Sequence, residues 1–183
     1  MVYLNLQTDN IDIAEVLPLL PQWRQEQVMR FKHLQGRQLC AAAYLLLKEG
    51  LQKEYGISEK QEFVISNNGK PQLKDHPDIY FNLSHSHQAA VCAISNRPIG
   101  IDIELIRKVN GDLIKYTMTD DEIAQIKEPA DFFRLWTMKE AYLKLTGEGI
   151  HNNMQDVLNN THNIEFQIFQ TAGNYIYTLA QYR

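Results

Sequence analysis

The amino-acid sequence predicts an α+β fold. Apolar residues recur at helical spacing over Ile11–Tyr55, then at strand spacing over Phe63–Leu105. Helical spacing returns up to Gly149, and strand spacing follows to the end of the chain. Helices and strands thus come in blocks rather than in strict alternation, which favours α+β over a parallel α/β sheet. The helix and strand blocks repeat more briefly after Leu105, as two similar lobes meeting near Leu105–Arg107 would give.

Each element has a local cause. Val2–Gln7 alternates apolar and polar residues and reads as a strand. Ile11–Leu20 has helical spacing and stops near Pro21, and a second helix covers Gln22–Phe31. The third, Arg37–Tyr55, has the apolar centre C-A-A-A-Y-L-L-L, with Gly56 as a stop. Phe63–Ser66 is a strand running into the turn N-N-G-K-P, and Ile79–Ser84, Ala89–Ser95 and Ile99–Leu105 follow as strands. Thr119-x-x-Glu122 is a capping box opening a short helix. A long amphipathic helix covers Asp131–Gly149: Pro129 suits its first position, Gly147 the residue past its end, and Phe132, Leu135, Trp136, Tyr142 and Leu143 form its apolar face. Asn163–Phe169 and Tyr175–Tyr182 close the chain as strands around a Gly173–Asn174 turn.

With 44% hydrophobic and 22% charged residues, the 183-residue chain is ordinary for a globular protein. A net charge of −4 excludes a broad basic field for nucleic acid. Leu20–Lys60 nevertheless carries seven Lys/Arg against four Asp/Glu, and Ile101–Ala130 four against seven. Such regions suit a phosphate-rich ligand and a cation, although two solvated faces would give the same counts. Cys40 and Cys92 sit in apolar stretches outside any C-x-x-C, as free thiols of a reducing compartment do. No apolar run approaches the roughly 18 residues of a membrane span. The N-terminus lacks a signal-type core, so a cytoplasmic protein is expected.

The chemistry-bearing residues lie in four stretches. In Gly100-Ile101-Asp102-Ile103-Glu104, alternation puts both carboxylates on one strand face, where they repel unless a cation joins them or water covers them. Trp136, Glu140 and Lys144 stand four apart in one row of the long helix; a surface ion pair is the plain alternative for the last two. Phe81-Asn82-Leu83-Ser84-His85-Ser86-His87 ends a strand in hydroxyls and imidazoles suited to phosphate, with no third ligand for zinc. Gly69-Lys70-Pro71 presents a lysine on a turn. Arg24, Arg30, Lys32 and Arg37 could contact phosphate, though each alone is more often a solvated charge. No P-loop, Rossmann fingerprint or G-x-S-x-G elbow is present.

Taken in order, G-K-P at 69–71, F-N-L-S-H-S at 81–86, P-I-G-I-D-I-E at 98–104 and W-T-M-K-E-A-Y-L-K-L-T-G-E-G at 136–149 resemble the 4′-phosphopantetheinyl transferases of the larger, surfactin-synthetase-activating type. The resemblance implies an intramolecular pseudo-dimer of two α+β lobes, 1–105 and 106–183, with the active site between them. It implies Mg²⁺-dependent transfer of the phosphopantetheine arm of coenzyme A to a serine of an apo acyl or peptidyl carrier protein, releasing adenosine 3′,5′-bisphosphate. Asp102, Glu104 and Glu140 would bind the metal, with Glu140 also the catalytic base, directly or through water. Lys144 would contact the pyrophosphate, Ser84 and His85 the phosphates, Lys70 the adenine side, and Arg24 and Arg37 would supply the basic N-terminal contacts. The family often has Gly where His87 stands. A carrier surface is expected around Lys115–Ile126, with Tyr116, Met118 and Ile123 either exposed there or in the core. A monomer is expected, with neither nucleic acid nor membrane as partner. The same carboxylates would serve a phosphodiesterase acting on coenzyme A-like pyrophosphates, and a non-catalytic coenzyme A or carrier-binding module is the third reading.

Overall fold

The computed structural model describes residues 1–66, 69–149 and 153–183; the two asparagines of the N-N-G-K-P turn lie outside them. The chain is mixed helix and strand, as the α+β reading expects. Strand β1 (Val2–Asn5) leads to helices α1 (Ile13–Val16), α2 (Gln22–Arg30) and α3 (Leu34–Tyr55). Strands β2 (Phe63–Ile65), β3 (Pro71–Leu73), β4 (Tyr80–Ser86), β5 (Ala89–Ser95) and β6 (Ile99–Leu105) follow. Helices α4 (Gly111–Thr117), α5 (Asp120–Gln125) and α6 (Pro129–Thr146) precede β7 (Ile164–Gln170) and β8 (Tyr175–Tyr182). The strands pair antiparallel in three sheets, ordered β1-β5-β4, β2-β3 and β6-β8-β7.

The departures from the sequence reading are local. The helix expected over Ile11–Leu20 is α1, capped by the Asp12 carboxylate, and then a 3₁₀ turn over Leu17–Leu19. Pro18 has no N–H with which to continue the α-helix. Helix α3 begins at Leu34, three residues before the expected Arg37. Strand β3 was not foreseen, because it is three residues long and opens on a proline, which only an edge strand tolerates. Strand β4 runs two residues beyond Ser84, because Ser84, His85 and Ser86 pair with Val91, Ala90 and Ala89 of β5. Helices α3 and α6 end on Gly56 and Gly147, both left-handed at φ 70° and 78°.

Three apolar layers hold these elements together. Ala41, Leu47 and Leu51 of α3 pack on Phe81 of β4 and Cys92 and Ile94 of β5. The opposite face of β5, with Val91 and Ala93, meets Ile101 and Ile103 of β6 and Leu179 of β8. Helix α6 covers the other side of the second three-stranded sheet, with Ala141 and Leu145 against Ala180. Both cysteines are buried free thiols.

Gly100 fixes how closely α6 approaches β6. A Cβ there would lie 2.0 Å from the Ala141 carbonyl oxygen and 2.6 Å from the Leu145 nitrogen. Both are backbone atoms, so the helix itself would have to move. Gly100→Ala is expected to cost about 3 kcal/mol or more, the upper range of overpacking, read from the urea midpoint.

Candidate active site

Strands β4 and β6 lie side by side, and the Asn82 amide oxygen ties them by accepting from the Ile101 N–H at 3.0 Å. With period two on both strands, two hydroxyls face two carboxylates. Ser84 Oγ donates to Asp102 Oδ1 at 2.8 Å, and Ser86 Oγ donates to Glu104 Oε2 at 2.6 Å. Ile101 and Ile103 point the other way and are fully buried. The acidic face is not a wet one, since Asp102 is only 4% exposed.

Helix α6 brings Glu140 and Lys144 over this face. Lys144 Nζ donates to Asp102 Oδ1 at 2.6 Å and to Ser84 Oγ at 2.8 Å. The lysine therefore pairs across to β6 and not with Glu140 one turn away. Glu140 is buried, and burial, followed by the charges of Asp102 and Glu104, pushes its carboxyl up to about 7 against the partial relief of Lys144. Burial raises Glu104 as well, with the Ser86 hydrogen bond working against it.

Among the described residues, the buried oxygens Asp102 Oδ2 and Glu140 Oε1 have no hydrogen-bond partner. Carboxylate oxygens left buried and unpaired are costly, and a hard divalent cation would use them. Asp102 and Glu140 fit such an ion by these orphaned atoms, and Glu104 by donor type, its Oε2 accepting from Ser86. Among the described residues, no three His, Cys, Asp or Glu are already gathered at ligating distance; Asp102 is held by Lys144 instead.

The raised Glu140 carboxyl carries a stability prediction. Its folded value lies above the ordinary 4.5, so its ionisation opposes folding. That handicap is absent below about pH 4.5 and grows as pH rises through about 7, reaching roughly 3 kcal/mol. In chelator, Glu140→Gln is expected to gain stability over the wild type across this window, measured by urea unfolding at several pH values.

Next to the carboxylates, a groove of about 310 Å³ is lined by Lys70, Asn82, Glu140, Leu143, Lys144 and Gly147. Lys70 also lines a second cavity of about 530 Å³, together with Trp23, Arg24, Arg30, Phe81 and His85. Arg24 is buried there at 7% exposure, its guanidinium 4.9 Å from the Trp23 ring centre and 5.6 Å from that of Tyr44. Arg24 Nη1 donates to Gln27 Oε1 and contacts Cys40 Sγ, while Nε is buried without a partner among the described residues. A guanidinium stays charged in such a place, so this cavity suits an anion. The His85 ring opens into the same space; the surrounding protein and then Lys144 lower its pKa. Lys70 Nζ donates to the Leu145 carbonyl at 3.3 Å, which seats the G-K-P turn against the end of α6.

Arg37 Nε donates to the Phe31 carbonyl at 2.9 Å, and Arg30 is among the residues lining the cavity. Ser84 and His85 pair with Val91 and Ala90 in the β4–β5 ladder, and the turn is His87–Gln88. Trp136 packs, as expected, stacked on Phe132.

Residues 98–183, which include both β6 and α6, match the sequence profile of the 4′-phosphopantetheinyl transferase superfamily. The chain is 33% identical over 134 residues to a 4′-phosphopantetheinyl transferase of Bacillus subtilis, covering 69% of this chain and 60% of that protein. The chain belongs to the 4′-phosphopantetheinyl transferase superfamily. It is also 37% identical over 134 residues to the 4′-phosphopantetheinyl transferase HetI of Nostoc sp., covering 66% of this chain and 56% of that one. The 4′-phosphopantetheinyl transferase Sfp of Bacillus subtilis is 26% identical over 156 residues, 81% of this chain and 70% of that protein. The matched stretch thus spans about three fifths of the Bacillus subtilis relative first named.

Three residues of this superfamily member escaped the sequence reading. Asn82 and Ser86 lie within F-N-L-S-H-S at 81–86, but their partners lie 19 and 18 residues away on β6. Lys139 gave no signal at all beside Glu140. Its ammonium is fully buried on a different side of α6, donating to Glu122 Oε2 at 2.7 Å and to the carbonyls of Thr117, Met154 and Gln155.

Proposed function

We propose that this protein transfers the 4′-phosphopantetheine arm of coenzyme A to a serine of an apo acyl or peptidyl carrier protein, releasing adenosine 3′,5′-bisphosphate. The observation that carries this reading is the pair of orphaned carboxylate oxygens beside a groove that leads to the buried, partly unsatisfied guanidinium of Arg24. Pyrophosphate and phosphate groups match both ends. Asp102, Glu104 and Glu140 would hold Mg²⁺, which when bound supplies charge neutralisation and orientation of the phosphates.

The chain's own residues do the rest. Arg24 binds phosphate in the 530 Å³ cavity, with His85 and Lys70 on its wall. Lys144 moves from Asp102 to the pyrophosphate and stabilises charge developing on the leaving phosphate. Ser84 and Ser86 orient Asp102 and Glu104 by hydrogen bonding. Glu140 receives the proton of the carrier serine, through water where its oxygens are engaged.

The molecule acts as a pseudo-dimer of lobes 1–105 and 106–183, with β6 crossing from the first into the sheet of the second. It works as a cytoplasmic monomer. Among the described residues, no helix is long and apolar enough to cross a membrane. The carrier docks on α4, where Tyr116 is 61% exposed and Leu113 39% exposed. Met118 is not part of that surface: it is fully buried against Phe132 and Phe133, with Ile123 packed on the same cluster.

Chromatographic measurement of adenosine 3′,5′-bisphosphate tests this reading. Release is expected only when coenzyme A, Mg²⁺ and an apo carrier are all present. Release without carrier would make the protein a phosphodiesterase, and coenzyme A binding without release would make it a binding module.

A further inference from the structure

The β4–β5 hairpin turns on two residues, His87 and Gln88, and His87 takes φ 56°. A positive φ at the first turn residue alone is the arrangement that favours glycine, and a histidine there is strained. Among the described residues, the other non-glycine with positive φ is Asn174, in the β7–β8 turn, a residue type that tolerates it. Strain of this kind persists when the surroundings hold it in place. Here they do: Gln35 Nε2 of α3 donates to the His87 carbonyl at 2.9 Å, and the Gln88 N–H donates to the Tyr175 hydroxyl of β8 at 3.2 Å.

The strained backbone puts the imidazole beside Ser86, with Nδ1 3.1 Å from Oγ. Ser86 has one hydroxyl proton, and it goes to Glu104 Oε2 at 2.6 Å. Its oxygen must then accept, so the Nδ1 side of the ring carries the proton. The result is a directed chain, Nδ1–H to Oγ–H to Oε2, from the turn to the acidic face. We propose that His87 is a positioning residue: through Ser86 it fixes the orientation of Glu104 and so aims that carboxylate at the divalent cation. This rests on the metal reading above, and it assigns a role to a side chain that touches neither cation nor substrate.

The test is Mn²⁺ binding in the presence of coenzyme A, followed by the electron paramagnetic resonance of free Mn²⁺, on wild type, His87→Gly and His87→Asn. Asparagine accepts the left-handed conformation and its amide nitrogen can replace Nδ1–H, whereas glycine relieves the strain and removes the donor. His87→Gly is expected to bind Mn²⁺ up to about tenfold more weakly although it melts no lower than wild type, and His87→Asn to stay within about twofold of wild type. Equal Mn²⁺ affinity in His87→Gly overturns the proposal, and so does equal weakening in both variants. Absence of Mn²⁺ binding by the wild type sinks the metal reading itself, and the positioning role with it.

Discussion

Glu140→Gln is expected to lower phosphopantetheine transfer by about a thousandfold while leaving the protein folded. General-base catalysis alone is worth roughly a hundred- to ten-thousandfold, and the same change removes one of the two orphaned carboxylate oxygens of the site. Glutamine keeps the volume of the side chain but carries no charge. It therefore relieves the repulsion from Asp102 and Glu104 that raises the Glu140 carboxyl. The variant should unfold at the same or a higher urea concentration than wild type near pH 8, even as its turnover collapses. Loss of activity with loss of fold would point to a packing role for Glu140. Unchanged turnover would remove it from the chemistry.

Lys139→Met should produce the largest loss of stability, about 3–5 kcal/mol. The ammonium is fully buried, its three N–H donors shared among four acceptors, Glu122 and three carbonyls. Methionine matches its length but offers no donor, so the partners stay buried and unsatisfied. Glu122 keeps one bond, accepting from the Thr119 N–H in the capping box that opens α5. Adding Glu122→Gln to Lys139→Met should recover part of the loss, because the unpaired charge disappears. Urea midpoints of the two single variants and the double variant give the coupling directly. Additive losses would contradict the account of a paired buried charge.

What the sequence makes legible is local. Glycine at a helix end, alternation on a strand and a capping box each depend on a few adjacent residues, and Gly56, Gly147, the Ile101–Glu104 alternation and the Thr119–Glu122 box are found where their neighbours require them. Pairings across the chain are not encoded in spacing. Lys144 could have paired with Glu140 four residues away; it instead reaches Asp102, 42 residues away, because α6 lies directly on β6 over Gly100. Lys139 and Glu140 are adjacent in sequence and point about 100° apart around α6, one into a structural pocket and one toward the acidic face. Isolated charges were the least legible. Arg24, Arg30 and Arg37 are equivalent in the sequence, and only the packing of Trp23 and Tyr44 around Arg24, and the Phe31 carbonyl beside Arg37, separate them. His87 takes φ 56°, a conformation that favours glycine, which nothing in its sequence neighbourhood announces.

The intact mass of an apo carrier protein after incubation with this protein, coenzyme A and Mg²⁺ tests the central claim most directly. The account predicts a gain of one phosphopantetheine arm, absent with chelator and absent within the same time with Glu140→Gln. An unchanged carrier mass across acyl and peptidyl carriers, with wild-type protein folded and coenzyme A bound, would contradict it.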